Sequence, residues 1–178
     1  KSKFFNLQIV VTGMHLIKKY GETYKEIMKD GFKVDAKILT KQKDTTLKQI
    51  LESMSNQFKN VYSIFSELRP DIIVILGDRY DILPIAIGAQ MMGIPIAHFH
   101  GGEVTYGVID DSIRHAITKM SDIHFVANKE FRDRVLQLGE SHGHIFNIGS
   151  LGVDSLKNIK FPTKKHVFKL TGLKNISD

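Results

Sequence analysis

The residues in this chain that could carry chemistry lie close together in sequence. Asp78, Arg79, His98, His100 and Glu103 fall within 26 positions, and Asp110, Asp111, Arg114 and His115 follow shortly after. A carboxylate such as Asp78 can hold a substrate hydroxyl, or serve as a base when burial raises its pKa. Arg79 stays protonated, so it suits binding an anion better than moving a proton. His98 and His100 share a face if their strand persists that far. With Glu103 they make a zinc site conceivable, but the geometric demands of such sites argue against it. Gly101-Gly102 requires a tight turn or a close approach to a ligand, as when a phosphate or sugar passes over the backbone. Asp110 and Asp111 stand where a helix begins, so one of them can act only as a first-turn acid. Arg114 lies four residues after Asp110, and His115 four after Asp111. Each pair therefore shares a helical side: either two intrahelical salt contacts, or a cluster facing the same rim as Glu103. His124, His142 and His144 read as structural or solvated.

The elements that must position these groups follow from hydrophobic pattern. Asp71 to Leu76 is an Ile/Val-rich run after Pro70, expected as a parallel strand buried on both faces. Gly77-Asp78-Arg79 interrupts it, Ile82 to Met92 predicts an apolar helix stopped by Gly93, and Ile94 to His98 predicts the next strand. Two strands thus deliver their following loops to one rim. Ligands of open α/β sheets bind outside the carboxyl ends of strands.

Elsewhere, strands are expected at Phe5–Thr12, Lys33–Leu39, Ile123–Ala127 and His144–Ile148, and helices at Lys18–Asp30, Asp110–Met120 and Lys129–Leu138. Lys41 to Asp44 reads as a polar loop. Leu47, Ile50, Leu51, Met54, Phe58, Val61, Tyr62, Phe65 and Leu68 recur every three or four residues, predicting a long amphipathic helix with this stripe in the core. Alternating strands and helices imply an α/β fold, a Rossmann-like doubly wound parallel sheet.

Composition narrows the classes. A hydrophobic fraction of 42% and a charged fraction of 25% suit a soluble globular domain. No run is long enough to span a bilayer, and there is no secretory leader pattern at the start, so no membrane partner is expected. The absence of cysteine fits a cytoplasmic protein. Of the net charge of +6, residues 160–178 carry +4, five lysines against one acid. The body is nearly neutral, so no nucleic-acid partner is expected. No G-x-G-x-x-G or phosphate loop is present, which disfavours a dinucleotide or ATP, and no cofactor is expected. The chain opens on Lys1 already close to a strand, as if a preceding segment had been removed. Residues 1–159 read as one Rossmann-like domain lacking its first strand, and 160–178 as a linker or the start of a truncated second domain.

Three motifs in order, GDRYDILPIAIGAQMMGIPIAHFHGGE, TYGVIDDSIRHAITKMS and NIGSLGVD, resemble the hydrolysing UDP-N-acetylglucosamine 2-epimerases of sialic-acid biosynthesis. The resemblance runs from about Val11 to Asp154 and includes TGMH at Thr12 to His15. It implies one half of a GT-B-like two-domain architecture, with UDP-sugar in the cleft between the halves. It also implies a homo-oligomer in the full-length protein, and a reaction that eliminates UDP across C1 and C2 and then adds water to give N-acetylmannosamine. Similar enzymes act on UDP-2,4-diacetamido-trideoxy-glucose on the way to legionaminic acid. Asp78 of G-D-R and Asp110 of I-D-D match acids that the family uses. The third proton-transfer group is Glu103 or His100, because many members have Glu where this chain has His100. Arg79, His98, Gly101, Gly102, Arg114, His115 and His15 are expected to bind the substrate. The resemblance implies that residues 1–178 alone, without a second domain to hold UDP, do not turn over. A glycosyltransferase half of the same architecture, or a folded but inactive module, are the competing readings.

Overall fold

The computed structural model of the chain describes residues 3–40, 44–159 and 161–172. The order of elements is β1 (Val10–Thr12), α1 (Tyr24–Lys29), β2 (Ala36–Ile38), α2 (Leu47–Leu68), β3 (Ile73–Leu76), α3 (Leu83–Met91), β4 (Ile96–Phe99), α4 (Ile109–Met120), β5 (Ile123–Val126), α5 (Lys129–Gln137) and β6 (Ile145–Asn147). Two further helices follow, α6 (Leu151–Asn158) and α7 (Lys164–Thr171). Contacts divide the chain into one unit of Lys1–Ile148 and a second of Gly149–Asp178. Within the stretch read as a linker, Thr163 caps the start of α7 by accepting from the His166 amide. Lys160 and residues 173–178 lie outside the described residues, as does most of the expected loop at Lys41–Asp44.

All strand pairing is parallel. β1 pairs with β2, and β3, β4, β5 and β6 form a four-stranded sheet in that order. The α/β expectation therefore holds, with strands shorter than the apolar runs that announced them. The run Phe5–Thr12 contributes only Val10–Thr12 to a strand, and Phe4, Phe5 and Leu7 are exposed. The helix read at Lys18–Asp30 is broken at Gly21, whose φ of 86° ends a 3-10 turn, and α1 starts only at Tyr24.

Side-chain alternation gives the four-stranded sheet two unlike faces. In register, Ile75 lies beside His98 and His98 beside His124, placing all three on one face. Ile75 there packs with Val61 and Phe65 of α2, Ile85, Ala86 and Ala89 of α3, and Ile113 and Ile117 of α4. On the other face, Phe99, Phe125 and Phe146 form an aromatic row with centroids 4.5 and 5.7 Å apart. Val74 and Leu76 on that face are 64% and 58% exposed. β3 is therefore covered on one side only among the described residues, which corrects the expectation of burial on both.

α2 begins at its Thr46 cap and ends at Arg69, which turns out of the helix at a φ of 45° before Pro70. Its buried row is Ser53, Gln57, Val61 and Phe65, spaced by four. Leu47, Leu51, Phe58 and Tyr62, expected in the core, are exposed. The row turns because Gln57 has specific partners inside: its amide donates to Thr12 Oγ1 at 2.9 Å and to the Asp81 carbonyl at 2.8 Å. Val61 packs where Gly88 of α3 lacks a Cβ, so the two helices meet closely. Among the described residues no helix is long and apolar enough to cross a membrane.

Candidate active site

The loops after β3 and β4 meet at the amino-terminal half of α4, and Arg114 of that helix joins them. Its side chain is 5% exposed. Nη1 donates to the Glu103 carbonyl at 2.9 Å and to Asp111 Oδ1 at 3.3 Å. Nη2 donates to Thr105 Oγ1 at 3.0 Å and to the Asp78 carboxylate. The planar guanidinium suits this work because its fixed fork can reach several acceptors at once. The sequence placed Arg114 at the substrate; the structure spends these donors on the protein, so Arg114 builds the rim. Its ion-pair partner within α4 is Asp111, not Asp110.

Asp111 has further partners. It accepts from the Thr105 amide at 2.8 Å and lies 3.7 Å from His115 Nε2. The helix has no side-chain cap at Val108, so this acid in the first turn also balances the exposed amides and the dipole. Asp110 is half-buried, and its carboxylate has no hydrogen bond or ion pair among the described residues. Of the two neighbouring acids, Asp111 is the one engaged by Arg114, His115 and the Thr105 amide.

His98 and His100 part company. β4 ends at Phe99, and His100 takes a φ of 66°, a left-handed conformation uncommon for a residue with a Cβ. Its amide donates to the Phe125 carbonyl at 2.9 Å, so β5 holds the turn in place. His100 Nδ1 meets Glu103 Oε1 at 2.6 Å. A carboxylate only accepts, so Nδ1 carries the proton and the lone pair of a neutral ring is at Nε2. Both side chains are partly exposed, within reach of solvent and of a ligand.

His98 is fully buried. Its Nε2 donates to the Gly77 carbonyl at 2.8 Å, and Nδ1 faces Thr118 Oγ1 at 3.3 Å. Burial pushes its pKa down to about 4, so the ring is neutral at physiological pH. Among the described residues, no group of three His, Cys, Asp or Glu side chains is placed to hold a metal ion. His124 is buried beside it and meets Glu140 Oε2 at 3.2 Å, a structural role.

The two glycines are also explained by packing. A Cβ on Gly102, whose φ is 77°, would strike the Phe131 carbonyl of α5, and one on Gly101 would crowd Thr118 Oγ1 at 3.1 Å. Both are buried, and Arg134 of α5 donates to the Gly102 carbonyl. They let α5 and the buried row beneath approach the loop, rather than opening it to a phosphate. Arg79 by contrast is 45% exposed, with Nε 3.4 Å from Asp81 Oδ1, and is open to an anion. His15 is exposed after β1 and bonds Thr23 Oγ1 at 2.6 Å, with no contact to the Arg114 cluster. Thr105, Thr118 and Gln57 are the residues that sequence reasoning missed. No spacing rule marks a lone hydroxyl or amide, although Thr118 one turn after Arg114 could have suggested a shared helical face.

The rim thus offers carboxylates at Asp78, Glu103 and Asp110, an imidazole at His100 and a cation at Arg79, a set suited to acid-base chemistry on an anionic substrate. The chain is 45% identical over 172 residues to a GDP/UDP-N,N'-diacetylbacillosamine 2-epimerase (hydrolyzing) of Campylobacter jejuni, covering 97% of this chain and 44% of the relative. It is 41% identical to the polysialic acid biosynthesis protein P7 of Escherichia coli, covering 90% of this chain and 41% of that one. The fold matches the crystal structure of UDP-GlcNAc 2-epimerase from Neisseria meningitidis bound to UDP-GlcNAc with a TM-score of 0.72 at 16% identity, over 93% of this chain and 43% of that one. The chain therefore spans less than half the length of the relatives it matches. With the UDP-N-acetylglucosamine 2-epimerase family model matching residues 1–176, the chain belongs to that family.

Proposed function

We propose that this chain supplies part of the active site of a cytoplasmic hydrolysing UDP-sugar 2-epimerase, with UDP-N-acetylglucosamine as substrate and N-acetylmannosamine and UDP as products, serving sialic-acid biosynthesis. The observation that carries the proposal is the His100–Glu103 pair, 2.6 Å apart, on a left-handed turn that Arg114 ties to Asp78 through the Glu103 carbonyl. Glu103 accepts from Nδ1 and so orients the neutral imidazole, and His100 Nε2 takes the C2 proton. The C1–oxygen bond to UDP then breaks to leave a 2-acetamidoglucal. Asp110, whose carboxylate has no partner among the described residues, serves the leaving oxygen or the incoming water. Arg79 faces the diphosphate, where a cation stabilises the departing charge. Water then adds hydroxyl at C1 and a proton at C2 on the opposite face.

A second reading replaces the substrate with UDP-2,4-diacetamido-trideoxy-glucose. Identity of 45% to a diacetylbacillosamine epimerase favours it, and the acid-base roles are the same. We further propose homo-oligomeric assembly, supported by the exposed apolar row Leu47, Leu51, Phe58 and Tyr62 along α2.

The test uses the full-length protein in D2O with each UDP-sugar and no acceptor. Release of UDP with the 2-epimer deuterated at C2 is expected from one of them, and His100→Gln is expected to abolish both signals. A requirement for an acceptor sugar refutes the reading in favour of glycosyl transfer, and product without deuterium refutes proton abstraction at C2.

A further inference from the structure

We propose that His98 is a positioning residue for Asp78, its buried imidazole anchoring the Gly77 carbonyl so that the turn after β3 delivers the carboxylate to Arg114. This rests on the function proposed above and adds a residue to it that never touches substrate.

The argument begins at Gly77. β3 ends at Leu76, and Gly77 has a φ of 94°. Its amide reaches the Phe99 carbonyl only at 3.4 Å, so strand pairing is weakening at this point. Glycine changes backbone conformation at little cost, and the peptide that joins Gly77 to Asp78 therefore needs an anchor from outside the strand. His98 Nε2 supplies it at 2.8 Å. A carbonyl only accepts, so the proton sits on Nε2 and the lone pair on Nδ1.

The ring is itself held in place. It lies in β4 between Ile75 of β3 and His124 of β5. Nδ1 lies 3.3 Å from Thr118 Oγ1, whose single hydrogen is shared between that lone pair and the Arg114 carbonyl at 2.9 Å. Above the ring, the place where a Cβ of Gly101 would sit is 3.3 Å from Nδ1, so a larger residue would press on it. Thr118 stands one turn after Arg114 on α4. The helix that presents the guanidinium to Asp78 thus also steadies the imidazole that sets the Asp78 backbone. Gly77, His98, Thr118, Arg114 and Asp78 close one ring of contacts, and movement of any member is felt at the carboxylate. Neutrality of the imidazole belongs to the design, since a protonated ring would add a second buried cation under Arg114.

The experiment compares His98→Gln and His98→Asn in the full-length enzyme. A Gln side chain carries its NH2 to the place of Nε2, whereas Asn reaches only the place of Nδ1. With the UDP-sugar that the wild type turns over, His98→Asn is expected to lower kcat by roughly 30- to 100-fold with KM changed by less than about threefold, the pattern of a misplaced reacting group. His98→Gln is expected to recover most of that loss. Thr118→Val keeps the imidazole in the chain but removes the hydroxyl that steadies it, and as an isosteric change it guards against loss of fold; a fall in kcat at constant KM is expected from it too. The readout independent of activity is the Arg114 guanidinium NMR spectrum. Its Nη signals should be separate in the wild type and His98→Gln, where the ion pair hinders rotation, and merged in His98→Asn. Equal kcat for Asn and Gln, a rise in KM at constant kcat, an unchanged kcat in Thr118→Val, or an unaltered Arg114 spectrum in His98→Asn each overturns the inference. If the wild type releases UDP from neither sugar, the functional reading falls, and the Arg114 spectra still decide the role of His98.

Discussion

Replacing Arg114 by Met should loosen the rim and destabilise the chain by an amount the structure allows to be worked out. The guanidinium is 5% exposed and serves four acceptors, two of them carboxylates. Breaking a buried ion pair costs about 3–5 kcal/mol, and a hydrogen bond to a charged group is worth about 1.5–3 kcal/mol. The full sum does not apply, because the Asp78 and Asp111 side chains are 22% and 29% exposed and water can take over part of their solvation. Met also keeps most of the packing of the aliphatic stem. A net loss of about 3 kcal/mol follows, at the low end of the buried-pair range. For a domain of this size that lowers Tm by roughly 6–12 °C. Arg114→Lys retains the charge but not the fork, so it should recover less than half of the loss. Thermal unfolding followed by circular dichroism measures both. A fall in Tm below about 2 °C for Arg114→Met, or a Lys variant that melts like the wild type, refutes the view that the fork holds the two loops together.

Three further outcomes are expected. Asp110→Asn in the full-length enzyme should cut turnover by more than about tenfold, equivalent to about 1.4 kcal/mol of transition-state stabilisation, with an unchanged melting curve. Asp78→Asn should cut turnover similarly but also lower Tm, because it leaves Arg114 facing a neutral amide; equal melting of the two variants would contradict the distinction drawn between them. Stability should also fall with pH between about 6.5 and 4. In that window the unfolded His98 binds a proton that the folded, buried ring refuses, so stability rises with pH by up to about 1.4 kcal/mol per unit from this group and is flat above it. The lowered pKa of His124 adds to the same slope. Urea midpoints between pH 4.5 and 7.5 test this, and a slope that is unchanged in His98→Gln removes His98 as its source.

The sequence by itself determined the class of fold and the sheet edge at which the charged turns gather. Ile/Val runs separated by helical periods force parallel strands joined by helices, and the charged turns after Leu76 and Phe99 necessarily fall at one edge of the sheet. The three motifs were legible for the same reason: each is contiguous. What only the tertiary structure decided is which charged groups are free. Asp110 and Asp111 are indistinguishable as neighbours in a helix start, and the choice between them is made by where Arg114 and the Thr105 amide lie. His98 and His100 read as a pair because alternation was extended past the strand. One residue at a φ of 66° sends His100 to Glu103 and leaves His98 beneath α4. The buried row of α2 was misread because apolar spacing says nothing about a polar side chain whose partners, Thr12 and Asp81, are 45 and 24 residues away. Periodicity records which face a residue occupies. The partner that face meets depends on distant segments packing together, and this is where Arg114 became a hub and two glycines became packing sites.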